Sequence, residues 1–168
     1  MIRIMIVTFF IVNCFLAVPL FYSKVFNKPV YIDPEFQEHL NNFNKDSKKY
    51  NVDVSYYKLI TVFSNNTSQG QLGYCMPHLN LVVISRRAWN YLDAHSRKLL
   101  LYHEWGHCLL KREHVETSFD FPTYCPMSIM YPYIEPSQRC YNKSTQEFYD
   151  RELFTNPYKF RLIPKGIE

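Results

Sequence analysis

Glycine is scarce, with four residues in a chain of 168. That is too few for a collagen-like repeat, a glycine linker or a glycine-rich nucleotide loop. Blocks of like charge are missing as well. Lys and Arg number 19 against 15 Asp and Glu, a balance of +4 with histidine neutral. No basic block gathers that excess, so a nucleic-acid partner has no electrostatic footprint here. Internal repeats and a second domain are also absent. What the chain does have is apolar surface: 47% hydrophobic and only 20% charged residues, enough to bury a core and exclude wholesale disorder. The 14 Tyr and 13 Phe are scattered, as core and groove-lining residues are, and form no base-stacking platform.

The one long apolar run is terminal. Residues 4–22 (IMIVTFFIVNCFLAVPLFY) follow Arg3 and precede Lys24. A short basic start and an apolar run make an export signal, and the run nears the ~20 residues a membrane-spanning helix needs. The expected organisation is an export signal or N-terminal anchor over 1–24, with membrane anchoring through 4–22, and a single domain over 25–168. The mature chain is then secreted, periplasmic or held at the outer face of a membrane. Beyond Cys14, the cysteines Cys75, Cys108, Cys125 and Cys140 are even in number, so two disulfides with three connectivities are open, against four reduced thiols.

Local patterns give a coarse α+β order. Asp33-Pro34-Glu35 opens a helix carrying Phe36, Leu40, Phe43 and Ser47 on one face. Residues 52–63 (VDVSYYKLITVF) read as a strand, 65–70 as a turn, 73–77 as irregular and 81–84 (LVVI) as a short buried strand. A helical turn or two follows over 86–92, and Asp93 or Ser96 caps the most hydrophobic helix, 97–110. There Leu101, Trp105 and Cys108 recur on a core face. After it come an aperiodic stretch, a proline-punctuated one over 122–136, and a weak helix over 144–154.

That apolar helix carries the chemistry. His103-Glu104-Trp105-Gly106-His107 is an HExxH, and on a helix i and i+4 share a face, so both imidazoles can reach one ion. Glu104 sits beside them, placed to take a proton from a metal-activated water without ligating. From the chain's own six His and its Glu content, a chance match is about one per cent. Among core neighbours, two imidazoles and a carboxyl need partners, because unpaired buried polar groups are costly. A catalytic zinc takes three protein ligands, and Glu113, His114, Glu116 and Asp120 lie just beyond the helix. Of the remaining histidines, His39 reads as an exposed helix residue, His95 as lying near a helix start and His78 as a loop residue. Asn65, Asn66 and Asn142 head N-x-S/T triplets.

HEWGHCLLKREH (103–114) followed by SIMYP (128–132) resembles the metzincin clan of zinc peptidases, whose pattern is HExxHxxGxxH with a later Met-turn. With GYC (73–75), the set is similar to a group of small exported bacterial HExxH proteins. The resemblance covers about residues 73–132. It implies a zincin-like fold, in which a twisted mixed sheet and a backing helix accompany the HExxH helix. It also implies one catalytic Zn2+ held by His103 and His107, Glu104 as general base, Met130 as the Met-turn residue beneath the metal, and a peptide or protein substrate. The substrate would lie extended along a strand edge; 81–84 is the candidate edge, with a buried central strand as the alternative.

Two departures stand out. Leu110 replaces the clan's glycine, and the third-ligand position six beyond His107 is Glu113, with His114 at seven. His114 is favoured, because three neutral imidazoles leave the full metal charge to acidify water. Pro132 occupies the place of the clan's tyrosine, so Tyr131 and Tyr133 become the candidates for oxyanion or substrate contact. Since Cys125 and Cys140 bracket the Met-turn segment, the expected pairing is Cys125–Cys140 with Cys75–Cys108. The rival readings are a non-catalytic zinc-containing binding protein on the same fold, and a gluzincin-like peptidase drawing its third ligand from a distant Glu135 or Glu147.

Overall fold

The computed structural model describes residues 31–54, 58–68, 70–120 and 124–155. The signal or anchor expected over 1–24 lies outside them, and no helix among the described residues is long and apolar enough to cross a membrane.

Asp33 caps the first turn as expected: its carboxylate accepts from the Glu35 N–H (3.1 Å), and the 3-10 turn Pro34–Phe36 runs into helix α1, Gln37–Lys48. Phe36, Phe43 and Ser47 are fully buried. Strand β1, Ile60–Ser64, is shorter than the apolar pattern of 52–63 suggests, and 55–57 lie outside the described residues. Its length is set by its partner. Strand β3, Leu81–Ser85, is also five residues long and pairs with β1 in parallel from Ile60↔Leu81 to Ser64↔Ser85.

Strand β2, Gly73–Met76, pairs antiparallel with β3 across the turn at 77–80, so the segment read as irregular is a hairpin arm. The sheet order is β1-β3-β2. This corrects the expected edge: 81–84 is central, with Val82, Val83 and Ile84 buried, as a continuous apolar run should be when both faces are covered. The outer edge of β1 is partly covered by the lead-in, where Ile32 bridges Thr61 and the Asp33 N–H reaches the Thr61 carbonyl (3.0 Å). No strand among the described residues pairs with the outer edge of β2.

Ser85 caps the short helix α2, Arg86–Tyr91, and Asp93 caps helix α3, Ala94–Leu110, by accepting from the Ser96 N–H (2.7 Å). Helix α4, Ile134–Cys140, was hidden by its proline; Pro136 is third in the helix, where an absent N–H costs nothing. Helix α5, Gln146–Thr155, closes the described chain. The result is an α+β molecule with a small mixed sheet of three strands.

The core forms where α1, α3 and α5 meet. The Phe43 ring packs edge-on against Tyr102, Trp105 and Phe154, with centroids 4.9, 5.4 and 5.0 Å away. Two buried polar groups anchor α3: Trp105 Nε1 donates to Thr61 Oγ1 (3.1 Å) and the Tyr102 hydroxyl to Asp46 (2.8 Å). The disulfides are Cys75–Cys108, joining β2 to α3, and Cys125–Cys140. That is the expected connectivity.

Candidate metal centre

Helix α3 presents His103 and His107 one turn apart, with ring centroids 4.7 Å apart. Each ring is fixed by its inner nitrogen. His103 Nδ1 donates to the Ile129 carbonyl (2.8 Å) and His107 Nδ1 to the Arg112 carbonyl (2.6 Å). In that tautomer both Nε2 atoms carry only a lone pair, yet they face each other at 3.1 Å. Burial holds both imidazoles neutral, pushing His103 down to about 4 and His107 below its usual value. His114 brings a third Nε2 to 3.3 Å from that of His103. Facing lone pairs repel unless a cation lies between them. Tetrahedral bonds of 2.0–2.1 Å put ligand nitrogens about 3.3–3.4 Å apart, close to what these two separations show. The three ligand atoms lie within 4.8 Å of one another, and the group could hold a metal ion. The donor set fits one.

His114 reaches this place through the turn that follows α3. The helix runs through Leu110, at the expected glycine position, and Lys111, one residue later, takes the left-handed conformation, φ 54° and ψ 37°. The Arg112 N–H then bonds back to the Gly106 carbonyl (3.0 Å). A non-glycine residue there costs roughly 1–2 kcal/mol. The Lys111 ammonium offsets it by donating to the carbonyls of Pro77 (2.8 Å) and Cys108 (2.6 Å) and to Asn80 Oδ1 (2.9 Å). Moving the turn by one residue brings the third imidazole to the group from seven residues beyond His107 instead of six. Glu113 is exposed and outside the converging group, as are Glu135 and Glu147.

Beyond His114 the chain runs beside residues 126–130. The Val115 N–H bonds to the Met130 carbonyl (3.0 Å), and Ser118 bridges Pro126. Met130 is fully buried beneath α3. A Cβ at Gly106 would come within 2.6 Å of its sulfur, so only glycine lets helix and methionine approach this closely. Of the three residues between the two helix-borne histidines, Gly106 alone has no side chain, and Met130 occupies that space.

Glu104 is 5% exposed, and burial alone pushes its carboxyl up to about 8. Gly73 brings β2 against it; a Cβ there would meet Glu104 Oε1 at 3.3 Å and the Val83 carbonyl at 3.1 Å. Glu104 and His103 together line a cleft of about 450 Å³, whose apolar wall includes Leu72, Leu99, Leu100 and Ile129. Tyr131, Pro132 and Tyr133 line the same cleft, and the two tyrosine rings meet edge-on at 5.9 Å. His78 is exposed in the hairpin turn, His39 is half-buried against Trp89 rather than exposed, and His95 packs against Tyr141; none joins the cluster.

The chain matches no family model, no curated protein and no solved structure. The function must therefore be argued from the site itself. Sequence reasoning missed one buried polar cluster next to the site: Arg112, Ser128 and Glu152. No spacing rule reaches them, since Glu152 lies 40 residues from Arg112 and 24 from Ser128.

Proposed function

We propose that the chain is an exported zinc-dependent endopeptidase of zincin-like, metzincin-related build, with His103, His107 and His114 as metal ligands and Glu104 as general base. The observation that carries this reading is the convergence of three imidazole nitrogens, one of them from His103, which lines the same cleft as the buried carboxyl of Glu104. Three imidazoles suit zinc among the divalent metals, although they also accept copper, iron and nickel. A zinc ion held there would supply a polarised carbonyl and an acidified water.

The chain's own residues do the rest. The Nδ1–H bonds of His103 and His107 keep both Nε2 lone pairs aimed at the ion. Glu104, as carboxylate, takes the water's proton at a carboxylate oxygen and hands it to the leaving amine. The substrate backbone would pair with the outer edge of β2, which has no strand partner among the described residues and whose entry at 70–73 lines the cleft. The cleft's leucines and Ile129 would take an apolar side chain, and Tyr131 or Tyr133 would donate to the developing oxyanion. The two disulfides accord with an oxidising compartment.

The test is digestion of denatured casein by the full chain after zinc loading. Hydrolysis should stop on chelation and return with added zinc. Zinc uptake at one per chain without any digestion would instead make this a metal-binding protein.

A further inference from the structure

The two imidazoles of α3 donate to carbonyls on different segments. Arg112, in the turn after α3, receives His107, and Ile129, in the Met-turn segment, receives His103. The aim of both rings at a common point therefore depends on how these two segments are held relative to each other. We propose that Glu152, on α5, is a positioning residue that clamps the two segments together through its carboxylate and so sets the orientation of both metal-ligand imidazoles. The proposal rests on the metal-centre reading above.

One carboxylate oxygen of Glu152 pairs with the Arg112 guanidinium, and the other accepts from Ser128 Oγ (2.6 Å). Ser128 is the residue directly before Ile129, so the same acidic group holds Arg112 itself and the immediate neighbour of Ile129. Further bonds stiffen the clamp on both sides. Arg112 Nη1 donates to the main-chain carbonyls of Glu152 (2.8 Å) and Leu153 (2.6 Å), and Ser128 Oγ accepts from the Met130 N–H (2.9 Å). The side chains of Arg112 and Glu152 are 2% and 3% exposed, so water cannot substitute for either.

A buried ion pair is weak evidence for stability, since desolvation can cancel its attraction. What this pair does have is geometry, because its bonds run to Arg112, which orients His107, and to Ser128, the residue next to the Ile129 that orients His103. Partners of this kind typically change metal affinity 10- to 100-fold when removed.

The experiment uses the full chain, with zinc affinity measured by chelator competition and histidine tautomers by 1H–15N spectra without metal. Glu152→Gln keeps the shape but replaces one of the two accepting oxygens with a donor, so it cannot accept from both Arg112 and Ser128. It should weaken zinc binding 10- to 100-fold and shift His103 and His107 away from the Nδ1–H form. Ser128→Ala, which removes one arm of the clamp, should move both readouts in the same direction by less. Tyr141→Phe is the control: it breaks a buried bond to Asp150 (2.9 Å) on the same helix, and its ring touches His95, which is outside the ligand group. It should leave affinity within twofold even where it lowers the melting temperature.

Parent-like affinity and tautomers in Glu152→Gln would reduce the cluster to scaffold and overturn the proposal. If that variant does not fold, the same result in Ser128→Ala overturns it. Should the parent bind no zinc, the metal reading fails on its own, and the tautomers of the metal-free chains alone decide the positioning role.

Discussion

Glu113 and His114 are adjacent, and a single residue of offset decides which of them completes the site. The His114 Nε2 stands 3.3 Å from that of His103, while Glu113 lies outside the converging group. After dialysis against a mild chelator, His114→Ala should lose its zinc and Glu113→Ala should keep it; the reverse outcome would transfer the ligand role to the carboxylate. The pairing of His103 with His107 was legible because i and i+4 on a helix must share a face. His114 was legible by chemistry rather than spacing, since imidazole preserves the metal's charge. Arg112, Ser128 and Glu152 were not legible at all. A buried arginine and a buried glutamate look like surface residues in sequence, and only the tertiary fold brings them together.

At the scale of elements, the end of α3 is the decisive joint. A left-handed residue there lets the chain turn back over the helix, and Lys111 adopts it with its ammonium bonded to three acceptors. Lys111→Gly removes those bonds but also the strain, whereas Lys111→Ala removes the bonds and keeps the Cβ. Thermal unfolding should therefore rank parent above glycine and glycine above alanine, the last two about 1 kcal/mol apart. Alanine matching glycine would mean that the turn carries no strain at this position.

The caps at Asp33 and Asp93 and the core face of α3 were readable because each is a local rule. Sheet order was not. Whether 81–84 is central depends on β1 arriving parallel from 21 residues earlier and β2 folding back through a turn with Asn80 at φ 48°. Gly73-Tyr74-Cys75-Met76 has too weak an alternation to declare itself a strand. Its pairing with β3, its disulfide to α3 and the close approach of Gly73 to Glu104 hold it in place.

For the molecule as a whole, the site imposes a stability cost that should show in pH dependence when metal is absent. Glu104 has a folded value of about 8 against an unfolded one near 4.5. A raised value means the folded state holds the proton more tightly, so this contribution is full below 4.5 and is lost as pH rises through 8. His103, lowered to about 4 from 6.5, acts oppositely: its contribution is full above 6.5 and is lost as pH falls through 4. Metal-free Glu104→Gln should accordingly melt higher than the metal-free parent at pH 8, with the gap closing toward pH 5; a gap independent of pH would remove the buried carboxyl from this account. The central claim is that three histidines hold a zinc ion while Glu104, without binding it, moves the proton. Its most direct test is the zinc content and casein turnover of zinc-loaded Glu104→Gln beside the parent. The account predicts one zinc per chain in both and hydrolysis only in the parent. Undiminished turnover in the variant, or a zinc content well below one, would contradict it.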